Sequence, residues 1–321
     1  MSIFNKNRYT RRNQMKKILS VLTAILLCLS FSGCAGSSKN SGSQSAVSQV
    51  DYTSSKISYL GPAGTYTQEA CERFFDGQQG AYLPCETVND AVKALVDKKS
   101  DYAVIPQENT IGGAVVDYID ALITQPDVSV AGEVELSISQ NLLVVPGTSL
   151  NDIKTVYSHR QGIEQGRQWL EKNLPGAELV EVSSTARGAE MVSEGNDKSC
   201  AAVASAGCAQ VYNLEILAAG IQNNDNNKTR FYVLSLKEPS KESSDRLAFT
   251  ATGSASDLPK FLEKTEDLDI TLVTIHDRPE KTELGSYCYV IECENCDYKT
   301  YLKLADNKDF ELRYLGSFPL R

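Results

Sequence analysis

Histidine is scarce in this chain: 321 residues hold two, His159 and His276. A Ser-His-Asp hydrolase or a histidine-rich metal centre therefore has little to be built from. Cysteine supplies no better metal framework. Cys293 and Cys296 have the spacing of half a zinc site, but no second pair stands at a matching distance, and structural zinc asks for four ligands. Beyond residue 34 the cysteines are Cys71, Cys85, Cys200, Cys208, Cys288, Cys293 and Cys296, an odd number that leaves at least one unpaired. Cys71, Cys200 and Cys208 lie in apolar or alanine-rich runs and read as small core residues. Positive charge is also in deficit. A net charge of −9 speaks against a nucleic-acid partner and against general adhesion to anionic lipid. A long apolar run is missing too: the best one, residues 18–29, is too short to span a bilayer comfortably.

That short run has a function of its own. It follows a segment carrying Lys6, Arg8, Arg11, Arg12, Lys16 and Lys17 with no acid, and it precedes Phe31-Ser32-Gly33-Cys34. A basic start, a short apolar core and small residues make a secretory signal. With Cys34 directly after Ser-Gly, it resembles a bacterial lipoprotein signal, whose cysteine is lipidated and becomes the new N-terminus. Residues 35–48, rich in Ser, Gly, Asn and Gln, read as a flexible tether. The expectation is an exported protein on the extracytoplasmic face, with residues 1–33 removed, 34–55 a linker, and membrane contact through the lipid alone. Loss of the six cations leaves the mature chain near −15, so an anionic substrate must be caught by local cations and backbone dipoles.

From residue 56 a unit recurs: an apolar strand ending in Gly, Pro, Ser or Thr, then an amphipathic helix. Residues 57–60, 102–105, 155–157, 179–182 and 201–203 are the strands. The helices begin at Thr65-Tyr66-Thr67-Gln68, which fits a capping box, and after Gly112-Gly113, Ser158-His159, Ser184-Thr185 and Ala204-Ser205. Repetition of this kind predicts an α/β fold with a largely parallel sheet. Ligands of such sheets sit beyond the carboxyl ends of strands, where helix N-termini offer unpaired N–H groups and partial positive charge. Most Ser and Thr there only cap helices, so their convergence on one cleft matters more than any one of them. Residues 237–245 form a polar linker. After it, strands at 247–250, 270–275, 286–292 and 310–315 with helices at 258–264 and from about 296 spell β-α-β-β-α-β, a ferredoxin-like unit over 246–321.

Residues 222–231, Gln-Asn-Asn-Asp-Asn-Asn-Lys-Thr-Arg-Phe, are the most informative stretch. A turn-forming segment delivers the Thr229 hydroxyl and the Arg230 guanidinium to the head of an apolar strand. A hydroxyl can serve a leaving group, and a guanidinium can hold a carboxylate in a two-pronged grip.

In this setting Thr229-Arg230-Phe231 resembles the catalytic signature of prephenate dehydratases. Further segments agree over residues 56–321: Gly61-Pro62-Ala63-Gly64-Thr65-Tyr66-Thr67, Pro106-Gln107-Glu108-Asn109-Thr110, Ser158-His159-Arg160-Gln161, Ser184-Thr185-Ala186, and the stretch from Ala201 through Tyr212 to Gln222. The resemblance implies a two-lobed catalytic domain over 56–236, similar to periplasmic binding proteins, followed by an ACT regulatory domain. It implies decarboxylative dehydration of prephenate to phenylpyruvate without redox cofactor or metal. Thr229 is then the catalytic hydroxyl, acting as an oriented donor because threonine is a poor acid, and Arg230 the carboxylate clamp. Phe231 packs behind them, and Thr65, Asn109, Thr110, Ser158, Gln161, Ser184 and Thr185 line the substrate cleft. An L-phenylalanine effector would meet Asp257, Leu258, Asp277, Arg278 and Pro279, and ACT units would join chains into dimers or tetramers.

Departures from the family pattern carry expectations as well. Gln140 stands where the family often has His, Arg160 where it has Pro, Gly162 and Arg187 where it has Ala. Ser256-Asp257-Leu258 replaces a Gly-Ala-Leu effector turn, which removes a close backbone approach and adds a negative charge. Weakened or altered phenylalanine feedback is expected. The alternatives are a non-catalytic solute-binding lipoprotein built on the same two lobes, and arogenate as substrate.

Overall fold

The computed structural model describes residues 52–77 and 80–321. The expected signal, lipidation at Cys34 and tether lie outside them. Among the described residues no helix is long and apolar enough to cross a membrane.

The first lobe is built on strands β1 (Lys56–Leu60), β2 (Ala81–Cys85), β3 (Tyr102–Asn109), the short β4 (Gly113–Ala114), β5 (Ser129–Ser137) and β11 (Lys228–Ser235), in the order β2-β1-β3-β11-β5 with β4 on β3. Helices α1 (Tyr66–Phe74), α2 (Val88–Val96) and α3 (Val116–Thr124) pack on it. α2 shows why such segments are helical. Val88, Ala91, Val92 and Leu95 make one buried stripe, and the Thr87 hydroxyl accepts from the Asp90 N–H at 3.0 Å to cap the first turn. α1 is started differently from the expected capping box. Thr65 makes no cap hydrogen bond and donates instead to the Leu60 carbonyl, while Gln68 reaches back to the Gly64 N–H at 2.9 Å. Gly132 in β5 lets α1 lie close, since a Cβ there would sit 2.0 Å from the Phe74 ring.

The second lobe has strands β6 (Asn141–Val144), β7 (Thr155–Ser158), β8 (Glu178–Glu181), β9 (Cys200–Ala204) and β10 (Glu215–Ala218), ordered β10-β6-β9-β7-β8. Its helices are α4 (Arg160–Asn173), α5 (Thr185–Gly195) and α6 (Ala206–Val211). The chain crosses between lobes twice, at residues 138–140 and 219–227. The crossings run side by side, tied by Ile138 N–H to the Asn227 carbonyl and Ile221 N–H to the Gln140 carbonyl, both 2.8 Å.

Neither sheet is largely parallel, contrary to the expectation from repeated strand–helix units. β2-β1-β3 and β8-β7-β9 are parallel, but β11 enters the first sheet antiparallel to β3 and β5, and β6 is antiparallel to β9 and β10. The double crossing is the cause: a strand returning from the other lobe arrives from the opposite end.

The C-terminal unit is a four-stranded antiparallel sheet, β13-β14-β12-β15, from β12 (Arg246–Ser254), β13 (Thr271–Pro279), β14 (Ser286–Glu294) and β15 (Phe310–Phe318). Helices α7 (Leu258–Asp267) and α8 (Tyr298–Ala305) cover one face, with Phe261 and Tyr301 packed into one core with Leu247, Phe249 and Ile291. The other face is not free. Ala248, Val290, Leu315 and Phe318 join one core with Tyr118, Leu122 and Tyr232 of the first lobe. The chain end completes the seam, with Pro319 and Arg321 hydrogen-bonded along the open edge of β5.

Candidate active site

A cleft of about 330 Å³ opens between the two lobes. It falls at the small end of ligand pockets. From the first lobe it is lined by Tyr66, Pro106, Asn109 and Val115, and from the second by His159, Gln161, Ser184 and Thr185. Ile138 and Gln140 come from the crossing segment and Thr229 from the head of β11. Of the expected cleft residues, Thr229, Asn109, Gln161, Ser184 and Thr185 are brought together here.

Asn109 organises the floor. Its Nδ2 donates to Thr229 Oγ1 at 2.9 Å and to Asn227 Oδ1 at 2.7 Å. Its Oδ1 accepts from the N–H groups of Ile111 and Gly112 and from Gln161 Nε2, at 3.0, 2.8 and 3.4 Å. Because Thr229 already accepts from Asn109, its own hydrogen is left to donate into the cleft. The second lobe aims two helix N-termini at the same space. His159 caps α4, with Nδ1 accepting from the Gln161 N–H at 3.3 Å, and the Ser184 hydroxyl caps α5 by accepting from Arg187 at 3.0 Å. That bond makes Nε2 of His159 the ring's donor nitrogen.

The remaining expected site residues lie elsewhere. Thr65 holds the Leu60 carbonyl. Thr110 braces the turn by accepting from Lys228 N–H and donating to the Asn226 carbonyl, and Ser158 is fully buried, donating to Val203 at 2.6 Å. Phe231 is buried in the first-lobe core and does not line the cleft. The loop at Gly64 serves as an inter-lobe clamp: its carbonyl accepts from Ser205 at 2.7 Å.

Arg230, expected as the carboxylate clamp, points away from the cleft. Successive residues of a strand face opposite sides, so with Thr229 in the cleft Arg230 faces the C-terminal sheet. There it ion-pairs with Glu108 and, at 3.2 Å, with Glu292, and lies 3.3 Å from Glu133, with its side chain 13% exposed. Burial works against its charge, but the three carboxylates outweigh it and hold the pKa above its ordinary value. Arg246 joins the cluster at 3.2 Å from Glu292. Arg187 is paired with Glu190 on the flank of α5, so among the described residues no Arg or Lys lines the cleft.

The effector residues are similarly divided. Asp257 stands at the N-cap position of α7 without a side-chain capping bond and pairs with Lys260 at 3.2 Å, and Leu258 is partly buried in the C-terminal core. Asp277 is exposed and Pro279 ends β13, while Arg278 grips Asp120 of α3 at 2.6 and 3.0 Å. Tyr66, His159, Gln140 and Gln165 were missed as lining residues. The N-cap position of His159 was a signal that was there to be read. Gln140 donates to Gln165 Oε1 at 2.9 Å.

Similarity to known proteins bears on what this cleft does. The family model described as Prephenate dehydratase matches residues 57–239. The chain belongs to the prephenate dehydratase family. It is 37% identical over 270 residues to the bifunctional chorismate mutase/prephenate dehydratase of Aquifex aeolicus, covering 82% of this chain and 73% of that protein. To the prephenate dehydratase of Lactococcus lactis it is 34% identical over 247 residues, 75% and 87% of the two chains. The solved prephenate dehydratase of Arthrobacter aurescens in complex with L-Phe superposes with a TM-score of 0.73 at 27% identity, over 82% of this chain and 90% of that one.

The acidic cluster has a pH signature. Burial, then Glu292, push Glu133 from the ordinary 4.5 up to about 8, against the pull of Arg230 and Arg246. The folded state then holds a proton that the unfolded chain releases, so this group's stabilisation is present below pH 4.5 and lost as pH rises through 8. Glu133→Gln should flatten the fall in thermal midpoint over that window. A variant whose midpoint falls with pH as steeply as wild type would refute the assignment.

Proposed function

We propose that the protein catalyses decarboxylative dehydration of prephenate to phenylpyruvate, in aromatic amino acid biosynthesis, with the Thr229 hydroxyl at the leaving group. The observation carrying this is the Asn109–Thr229 hydrogen bond, which leaves the threonine hydrogen as a donor at the cleft floor. As the bond from the ring to the departing carboxylate breaks, its electron pair enters the ring. The carboxylate leaves as carbon dioxide, the bond to the ring hydroxyl breaks with its electron pair, and the departing oxygen takes a proton from solvent to leave as water; aromatisation drives the step. Thr229 stabilises the charge building on the departing oxygen. The substrate carboxylates are held by the N-termini of α4 and α5 and by His159 Nε2. Helix dipoles in a narrow cleft replace the arginine clamp that the motif suggests.

In the full chain, Thr229→Ala should lower kcat for phenylpyruvate formation by about a hundredfold, the scale of losing one transition-state donor. An unchanged kcat would reject Thr229 as the donor, and no turnover in the wild type would leave the cleft a binding site only. Turnover of arogenate in preference to prephenate would move the substrate to the amino acid analogue.

Two regulatory and cellular readings belong to the same proposal. With Asp257 bound to Lys260 and Arg278 committed to Asp120, the effector groups are already engaged, and phenylalanine should inhibit weakly or not at all. Micromolar inhibition in the dehydratase assay would overturn this. The N-terminal segment supports export and lipidation at Cys34. Expressed in a bacterial host, the chain should incorporate labelled fatty acid and fractionate with membranes, and Cys34→Ala should do neither. Equal labelling of the two would reject the anchor.

A further inference from the structure

Glu292 belongs to β14, in the C-terminal unit, yet its carboxylate is spent on the catalytic lobe. Oε1 lies 3.2 Å from Arg230 Nη1, while Oε2 accepts from Gln107 Nε2 at 3.0 Å and from the Tyr232 hydroxyl. Glu292 and Gln107 are both fully buried. One side chain therefore staples three residues of β3 and β11, the two strands that carry Asn109 and Thr229.

Gln107 is not an ordinary strand residue. β11 pairs Arg230 with Glu108 and Phe231 with Pro106, which leaves Gln107 as the extra residue of a bulge in β3. Bulges re-aim the side chains beyond them. The effect here can be read from the cleft lining. Pro106 and Asn109 both line it, although they are three residues apart and strict alternation would put them on opposite faces. The extra residue reconciles them, and it sends Gln107 with Glu108 toward the C-terminal sheet. Without the bulge, one unit of slip would carry Asn109 away from Thr229.

We propose that Glu292 is a positioning residue for the dehydratase reaction: by anchoring Gln107, Arg230 and Tyr232 it fixes the β3 bulge and so holds Asn109 against Thr229. The C-terminal unit is then part of the catalytic scaffold in the absence of any effector. The carboxylate suits the task better than an amide, since Arg230 and Arg246 both lie 3.2 Å from Oε1 and need the charge.

The test is a double-mutant cycle in the full chain with Asp120→Asn as control. That control opens another link between the two units, Arg278 to Asp120, without touching the bulge. Glu292→Ala should lower kcat with prephenate about tenfold to a hundredfold, the scale of a misplaced catalytic group, with KM little changed. Glu292→Gln, which keeps the size and one acceptor oxygen, should recover part of the loss and serves alone if the alanine variant does not fold. Asp120→Asn should keep wild-type kcat. In an Asn109→Ala background, Glu292→Ala should cost little more, because the effect runs through Asn109. A fully additive loss, a wild-type kcat in Glu292→Ala, or an equal loss in Asp120→Asn would overturn the proposal. A second readout needs no turnover: amide hydrogen exchange at residues 107–110 and 228–231 should quicken in the Glu292 variants and not in Asp120→Asn, and unchanged exchange would reject it. Absence of dehydratase activity in the wild type would defeat the functional reading while the exchange measurement still decided this one.

Discussion

Strand β11 is shared between two surfaces. Its first residues alternate between the substrate cleft and the buried face that meets the C-terminal sheet, so Thr229 and Arg230 are neighbours in sequence with unrelated surroundings. The ion pairs around Arg230 lie behind the cleft floor, in a space that solvent scarcely reaches. Cutting one partner from such a group strands the others, at a cost of roughly 3–5 kcal/mol, whereas the intact group is close to neutral for stability. Its value is in specificity of arrangement: two arginines and three glutamates fix how β3, β5, β11, β12 and β14 meet.

The cleft on the other side of that strand is chemically quiet. Its polar groups are amides, hydroxyls and one imidazole, with backbone N–H groups of two helix starts behind them. In the proposed reaction a dianionic substrate meets fixed dipoles that need no reorganisation, which suits charge moving from carboxylate to ring to leaving oxygen. A cationic clamp at one carboxylate would hold the charge where it starts and oppose its departure. The strong charges are kept behind the cleft floor, where they position side chains instead of binding substrate.

Much of this was legible in the chain. The helices after Ser158-His159 and Ser184-Thr185 were marked by local capping and spacing, and the βαββαβ order after residue 246 follows from strand and helix patterns. Ser184 and Thr185 could be placed at a helix start facing the cleft because capping chemistry is local. Thr65, Thr110 and Ser158 carried the same local signal and went elsewhere, since their acceptors lie in segments that only folding brings near. The antiparallel entry of β11 was not legible either: it depends on the chain crossing to the second lobe and back before the strand is laid down.

By itself the sequence determined the family and the reaction class, because these rest on residue identity within short motifs. The tertiary structure alone decided that Arg230 belongs to the interface with the C-terminal sheet, and how Asn109, expected in the cleft, is held against Thr229. Strand faces alternate, and an extra residue at Gln107 shifts the alternation by one. The side chain of that residue donates to Glu292, which lies 185 residues further along the chain. No local pattern encodes a contact at that separation.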